Sequence, residues 1–257
     1  GNIDLSVGSV VCFAGAVGAT LMESKGMNPW AASIMMLLIG LLIGAWQAFW
    51  IAYVHVPPFI TTLSGMLVFR GLSNVVLNGL TVSLTNAGFV KVFGGGAECY
   101  IPDFLGGNGF NITCMLVGVI ACVIYVLVQI KNRMNRAKKG YEMEALSAMV
   151  IRTVIICAVI LVFMFRLAQY KGIPTALVWV ALVVLIYGYI TSKTTTGRYF
   201  YAVGGNEKAT KLSGINTNKV YFIAYTNMGF LAALAGMLTI ARMTSAQPTY
   251  GQNYEMD

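Results

Sequence analysis

Charged side chains are scarce in this chain: Asp, Glu, Lys and Arg make up 10% of its 257 residues, against a hydrophobic fraction of 58%. So little charge cannot cover a water-soluble fold of this size, which excludes an ordinary soluble globular class. Histidine is nearly missing. The only one, His55, stands beside Val56-Pro57-Pro58, where an interfacial side chain at a helix end is a simpler reading than a base or metal ligand. Cysteine is sparse and odd in number: Cys12, Cys99, Cys114, Cys122 and Cys157 are scattered, mostly inside apolar runs, so neither a disulfide framework nor a metal-ligand spacing is drawn. No phosphate-cradling G-x-x-x-x-G-K-[ST] occurs. The nearest stretch, Gly204-Gly205-Asn206-Glu207-Lys208, lacks the spacing, so any nucleotide that drives this chain binds to another polypeptide. Paired carboxylates, a histidine cluster and an activated nucleophile are also wanting, which argues against a membrane enzyme.

What fills the chain instead is apolar run after apolar run. About 20 apolar helical residues cross a bilayer core of about 30 Å, and seven stretches qualify: 5–22, 29–54, 59–80, 112–130, 150–168, 174–190 and 220–241. The expected fold class is all-α, a polytopic membrane helical bundle. Pro57 and Pro58 divide the second span from the third, because Pro-Pro cannot continue a helix. Although the net charge is +8, most of the basic residues lie in loops between spans, so nucleic-acid binding is not expected. One loop carries Lys131, Arg133, Arg136, Lys138 and Lys139, and another carries Lys193, Arg198, Lys208, Lys211 and Lys219. Both are placed in the cytoplasm by the positive-inside rule. The gaps of opposite sidedness hold only Lys25, Lys91, Lys171 and Arg242, and alternation puts residues 81–111 outside. Gly94-Gly95-Gly96, Pro102 and Gly106-Gly107 suit an irregular segment there. One transmembrane domain over 1–257 is expected, with both ends read as cuts in a longer protein.

Polar groups inside spans are costly unless they face protein or water. Arg70, Asn74 and Asn78 fall at i, i+4 and i+8, which predicts one helical stripe. Two readings stay open for it: hydrogen bonding between helices, or the lining of a hydrophilic solute pathway. Gln47, Thr226 and Asn227 are open to the same two readings. Arg152 and Arg166, near span ends, are expected to snorkel. Small residues recur four apart at Gly40 and Gly44, Gly8 and Cys12, Gly229 and Ala233, and Ala232 and Gly236, a spacing that lets helix backbones approach closely in lipid.

The loop 197–219 is the most specific piece. It predicts a short helix starting at Asn206, with Glu207 in its first turn, running through Lys208, Ala209, Lys211 and Leu212, and stopped by Ser213-Gly214. Two turns are not stable alone in water. The helix must dock, either on a partner protein or on its own spans.

At this loop the sequence resembles a known family. The run from Gly197-Arg198-Tyr199-Phe200-Tyr201-Ala202-Val203-Gly204-Gly205-Asn206-Glu207-Lys208-Ala209 through Lys211-Leu212-Ser213-Gly214-Ile215 is similar to the cytoplasmic coupling segment of ribose/xylose-type permease subunits of bacterial ABC sugar importers. Ile3-Asp4-Leu5-Ser6-Val7-Gly8-Ser9 resembles a second hallmark, with Asn2 where a second Gly is usual. Pro57-Pro58-Phe59-Ile60-Thr61-Thr62-Leu63, followed by Arg70-Gly71-Leu72, resembles a third. The basic loop around Arg133 to Lys139 brings the chain closer to the xylose or multiple-sugar branch.

The resemblance implies a subunit of the bacterial inner membrane with no cofactor of its own, working with cytoplasmic ABC ATPase subunits that hold ATP and Mg. An extracytoplasmic sugar-binding protein would deliver the solute, and a second permease subunit, in a homodimer, would complete the pathway. It implies ATPase coupling through Gly205, Asn206, Glu207, Lys208, Ala209, Lys211, Leu212, Ser213 and Gly214, and a translocation pathway that draws on Thr62, Arg70, Asn74, Asn78 and Asn227. The alternative reading is a secondary sugar transporter driven by an ion gradient. That mechanism ordinarily needs a buried acidic or basic relay, and within the spans there is no Glu.

Overall fold

The computed structural model describes residues 3–96, 99–106, 109–140 and 145–254. Asn2, Gly107 and residues 255–257 lie outside them. Among the described residues the chain is helical almost throughout: α1 (Val7–Ala19), continued by a π-helical turn (Thr20–Ser24), α2 (Pro29–Ala52), α3 (Pro58–Val76), α4 (Ala87–Phe93), α5 (Ile112–Lys138), α6 (Leu146–Tyr170), α7 (Thr175–Lys193), α8 (Thr195–Gly205), α9 (Glu207–Leu212) and α10 (Thr217–Met243). Two short strands, β1 (Val82–Ser83) and β2 (Ser245–Ala246), pair antiparallel. Seven helices are long and apolar enough to cross a membrane, and they coincide with the seven stretches read from sequence. The fold is the expected all-α multi-pass bundle.

Helix starts follow local chemistry. Asn28 accepts a hydrogen bond from the Trp30 amide at 2.9 Å and Pro29 opens α2, while Pro57 and Pro58 open α3. His55 ends the preceding span with a φ of 62°, exposed at the turn. The third span stops sooner than its hydropathy suggests. Asn78 and Gly79 adopt φ of 51° and 70°, left-handed conformations that a helix cannot continue through. The predicted stripe is therefore corrected: Arg70 and Asn74 share a face of α3, but Asn78 lies beyond its end.

Two compact units are present. The first comprises residues 1–99 and 178–257, the second residues 100–177. In the first, α10 packs against both α2 and α1, and small residues make the seams. A Cβ on Gly229 would overlap the carbonyl oxygen of Gly40, one on Gly44 would sit 2.7 Å from the Tyr225 carbonyl oxygen, and one on Gly236 would sit 2.6 Å from that of Val11. The spaced glycines thus place backbone against backbone, as small-residue spacing predicts. Beside them Val10, Val11, Ile43, Phe69 and Ala232 form an apolar cluster.

Residues 81–96 are not simply irregular. Asn86 caps α4 by accepting from the Phe89 amide at 3.1 Å, and Phe89 and Phe93, one turn apart, are both buried in a cluster with Met237 and Ile240. Trp179 of α7 stacks on Phe93 at 5.1 Å and donates its indole N–H to the Val92 carbonyl at 3.0 Å. Glu23, in the π-helical turn, accepts from the Thr85 amide at 2.8 Å and its hydroxyl at 2.7 Å.

In the second unit α5 and α6 pack together, with Gly118 facing Met164 and a buried cluster of Cys114, Ala168 and Ile173. Asn111 caps α5 through the Cys114 amide at 2.8 Å. Asp103 accepts from the Ile112 amide at 3.1 Å and the Thr113 amide at 3.2 Å, so a carboxylate also sits at the positive helix end.

Candidate functional site

The segment between α7 and α10 folds into two helices set end to end. Thr194 caps α8 by accepting from the Gly197 amide at 3.2 Å. Asn206 then serves both helices: its amide N–H bonds the Ala202 carbonyl at 3.0 Å, and its side chain accepts from the Ala209 amide at 3.0 Å. The helix from Glu207 to Leu212 is the one expected from sequence. Ser213 donates its hydroxyl to the Ala209 carbonyl at 3.0 Å, and Gly214 takes a φ of 83°, the left-handed exit that glycine tolerates. The preceding α8 was not foreseen, because Gly197, Gly204 and Gly205 read as loop residues. Thr194 is its readable signal, a capping residue three before Gly197.

Docking of α9 on its own chain is explicit. The Tyr221 hydroxyl of α10 donates to the Glu207 carboxylate at 2.9 Å, and Thr210 is buried. Its other side stays uncovered: Leu212 is 90% exposed, with Lys208, Ala209 and Lys211 exposed beside it.

Beneath α8 lies a cleft of about 560 Å³ whose walls include Asp4, Phe200, Tyr221, Tyr225 and Tyr254. Phe200 and Val203 of α8 line it, so any displacement of α8 and α9 changes its shape. Aromatic faces and a carboxylate give this cleft both apolar and hydrogen-bonding surface.

The five residues expected in a pathway are not gathered into one constellation. Thr62 is fully buried, and its hydroxyl bonds within α3 to the Phe59 carbonyl at 3.5 Å. Arg70 is half-buried, while Asn74 and Asn78 are exposed. Asn227 of α10 accepts a hydrogen bond from the Tyr187 hydroxyl of α7, which favours the interhelical reading for that residue. A different polar cluster lies where α1 begins, with Ser6 and Gln47 buried and Asp4 half-buried. Ser6 is 2.7 Å from Asp4 Oδ1 and 3.0 Å from the Gln47 amide, and Gln47 is 2% exposed. From sequence, the apolar surroundings of Gln47 and the hallmark run that holds Asp4 and Ser6 marked the members separately; nothing there joined them. No group of His, Cys, Asp and Glu among the described residues has the geometry to hold a metal ion.

Comparison with known proteins accords with this anatomy. The model of a family described as "Branched-chain amino acid transport system / permease component" matches residues 1–145 and 92–257. The chain is 34% identical over 256 residues to the xylose transport system permease protein XylH of Escherichia coli K12, covering 100% of this chain and 62% of that protein. To XylH of Haemophilus influenzae it is 35% identical, covering 100% and 65%. To the ribose import permease protein RbsC of Escherichia coli K12 it is 32% identical, covering 100% and 58%. The chain thus spans roughly three fifths of the length of these relatives. No solved structure gives a significant match. Seven membrane-capable helices and a family-model match that runs from the first residue to the last lead to one assignment: the chain is a multi-pass inner-membrane protein that belongs to the branched-chain amino acid transport system / permease component family.

Proposed function

We propose that this chain is part of the permease subunit of an ATP-binding-cassette importer that carries a monosaccharide, xylose or a related aldose, across the bacterial inner membrane by alternating access. The observation that carries this reading is α9, held to α10 through Glu207 and Tyr221 on one side and presenting Leu212, Lys208 and Lys211 on the other. A cytoplasmic ATPase pair, holding ATP and Mg, would grip that bare side, and its closure on ATP would shift α8 and α9 and so reshape the adjoining cleft. An extracytoplasmic sugar-binding protein would supply the solute, and a second copy of the permease would complete the conduit. The names of the xylose and ribose relatives support a pentose-type cargo.

Uptake of labelled xylose by cells carrying the intact protein and its neighbours should be abolished by vanadate and should survive an uncoupler. Survival under vanadate with loss under the uncoupler would point to the gradient-driven alternative.

Asn74→Leu, and Asn78→Gly, which keeps the left-handed turn, are expected to lower uptake several-fold while leaving complex assembly intact, since both side chains are exposed and neither supports the core. Unchanged uptake in both variants, measured alongside co-purification of the ATPase, would remove these residues from the pathway.

A further inference from the structure

Residues 247–254 are neither helix nor strand, yet their contacts run back along the membrane-capable helix α1. The seams fix their depth. Gly40 and Gly229, near the middles of α2 and α10, meet each other, and α1 runs parallel to α10 with Gly236 against Val11 and Gly15 against Ile240. Extending this register by one turn sets Gly8 close to the middle of α10. Residues 247–254 follow the same face: the Cys12 thiol lies 3.5 Å from the Gln247 carbonyl and 3.6 Å from that of Pro248, Gly251 presses on the Gly8 carbonyl, and Tyr254 reaches the cleft beside Asp4. Turn backbone at this depth carries amides and carbonyls that lipid cannot satisfy, so it must be buried in protein or wetted by a conduit. One side is packed, with Ala246 and Gly251 buried. The other presents Thr249, Gln252 and Asn253, all exposed.

A second observation lies beside the same stretch. Ser6 has one hydroxyl proton for two neighbours, Asp4 Oδ1 and the Gln47 amide. However that amide is turned, its other polar atom, directed at Gly65 where a side chain would not fit, has no partner although Gln47 is 2% exposed. The Ser9 hydroxyl, also buried, has no partner either. Gln47 lies seven residues past Gly40 on α2, about 10 Å along the axis, still inside a bilayer core. An amide that can donate and accept, next to a carboxylate that only accepts, matches a neutral polyol and repels an anion.

We propose that residues 247–254 form one wall of the solute conduit, and that Gln47 and Ser6, closed off in this conformation, join the half-buried Asp4 beside them in taking the hydroxyl groups of a small neutral polyol when the conduit opens. This deepens the permease reading and rests on it.

The test uses the full-length permease with its ATPase and binding protein in membrane vesicles, with labelled D-xylose and D-ribose as probes. Thr249→Cys, Gln252→Cys and Asn253→Cys should react with a membrane-impermeant thiol reagent at least tenfold faster than Leu42→Cys, an exposed apolar position on α2. Saturating sugar should slow that reaction several-fold. Gln47→Leu should raise the KM for the transported sugar tenfold or more, and Gln47→Asn should recover part of it. Labelling no faster than at Leu42 would overturn the wall, because remaining protein then covers the segment. Fast labelling with an unchanged KM in Gln47→Leu would overturn the polyol contact. If the wild type takes up neither sugar, the cargo reading fails, while the labelling pattern still decides whether residues 247–254 face water.

Discussion

Gly229→Val is expected to strip folded protein from the membrane. A Cβ at this position would overlap the Gly40 carbonyl oxygen and stand 2.7 Å from the Gly44 Cα and 2.8 Å from its nitrogen. Those neighbours are backbone atoms, so no side chain can swing aside, and α2 must back away from α10 along its length. Between helices in lipid, dispersion contacts and close packing hold the pair where the hydrophobic effect does not. Overpacking of a rigid seam costs about 3 kcal/mol or more. Monodisperse yield after mild detergent extraction, together with a thermal unfolding midpoint, measures the loss. Gly71→Val, at a helical glycine where an added Cβ meets nothing within 4 Å, is the matched control and should behave as wild type. Equal yields of the two variants would contradict the backbone-contact account of this seam.

Gly214→Val should cut uptake by more than tenfold while the protein still inserts and its spans still fold. The exit turn of α9 needs a φ of 83°, which a β-branched residue resists strongly. A residue forced out of that turn unwinds the Ser213-Gly214 stop, and α9 loses the angle at which Glu207 meets Tyr221. The damage is confined to the segment around α9, because a Cβ added to Gly214 meets nothing within 4 Å. Tyr221→Phe removes the hydroxyl that bonds Glu207 and should give a smaller loss, on the order of 1 kcal/mol of local stability. Co-purification of the ATPase and sugar uptake are the paired readouts. Normal values of both in Gly214→Val would count against α9 as the docking element.

The membrane spans were legible because each is a long apolar run, and a helix must satisfy all its backbone groups internally to cross lipid. The start and stop of α9 were legible for a different reason: Asn206 and Gly214 are cap residues whose roles depend on local geometry alone. The end of α3 escaped because hydropathy continues through Leu77 and Leu80, whereas the turn is decided by the backbone of Asn78 and Gly79. Likewise α4 is brief, and its stability comes from Phe89 and Phe93 docking under Trp179, a contact between residues far apart in sequence. The cluster of Asp4, Ser6 and Gln47 joins positions 41 apart and more, so neither spacing nor composition could assemble it. For the same reason the path of residues 247–254 along α1 was hidden until Gly251 was seen against Gly8.

The glycine seams also set what this part of the molecule can do mechanically. Interfaces made of main chain and Cα atoms have no rotamers to exchange, so α1, α2 and α10 answer a load as one stiff slab. Elastic give has to come from a seam of large side chains. Phe69 of α3, wedged between Phe13 and Trp46 at ring separations of 5.6 and 6.3 Å, supplies such a bearing, on which α3 can tilt while the slab beside it stays whole.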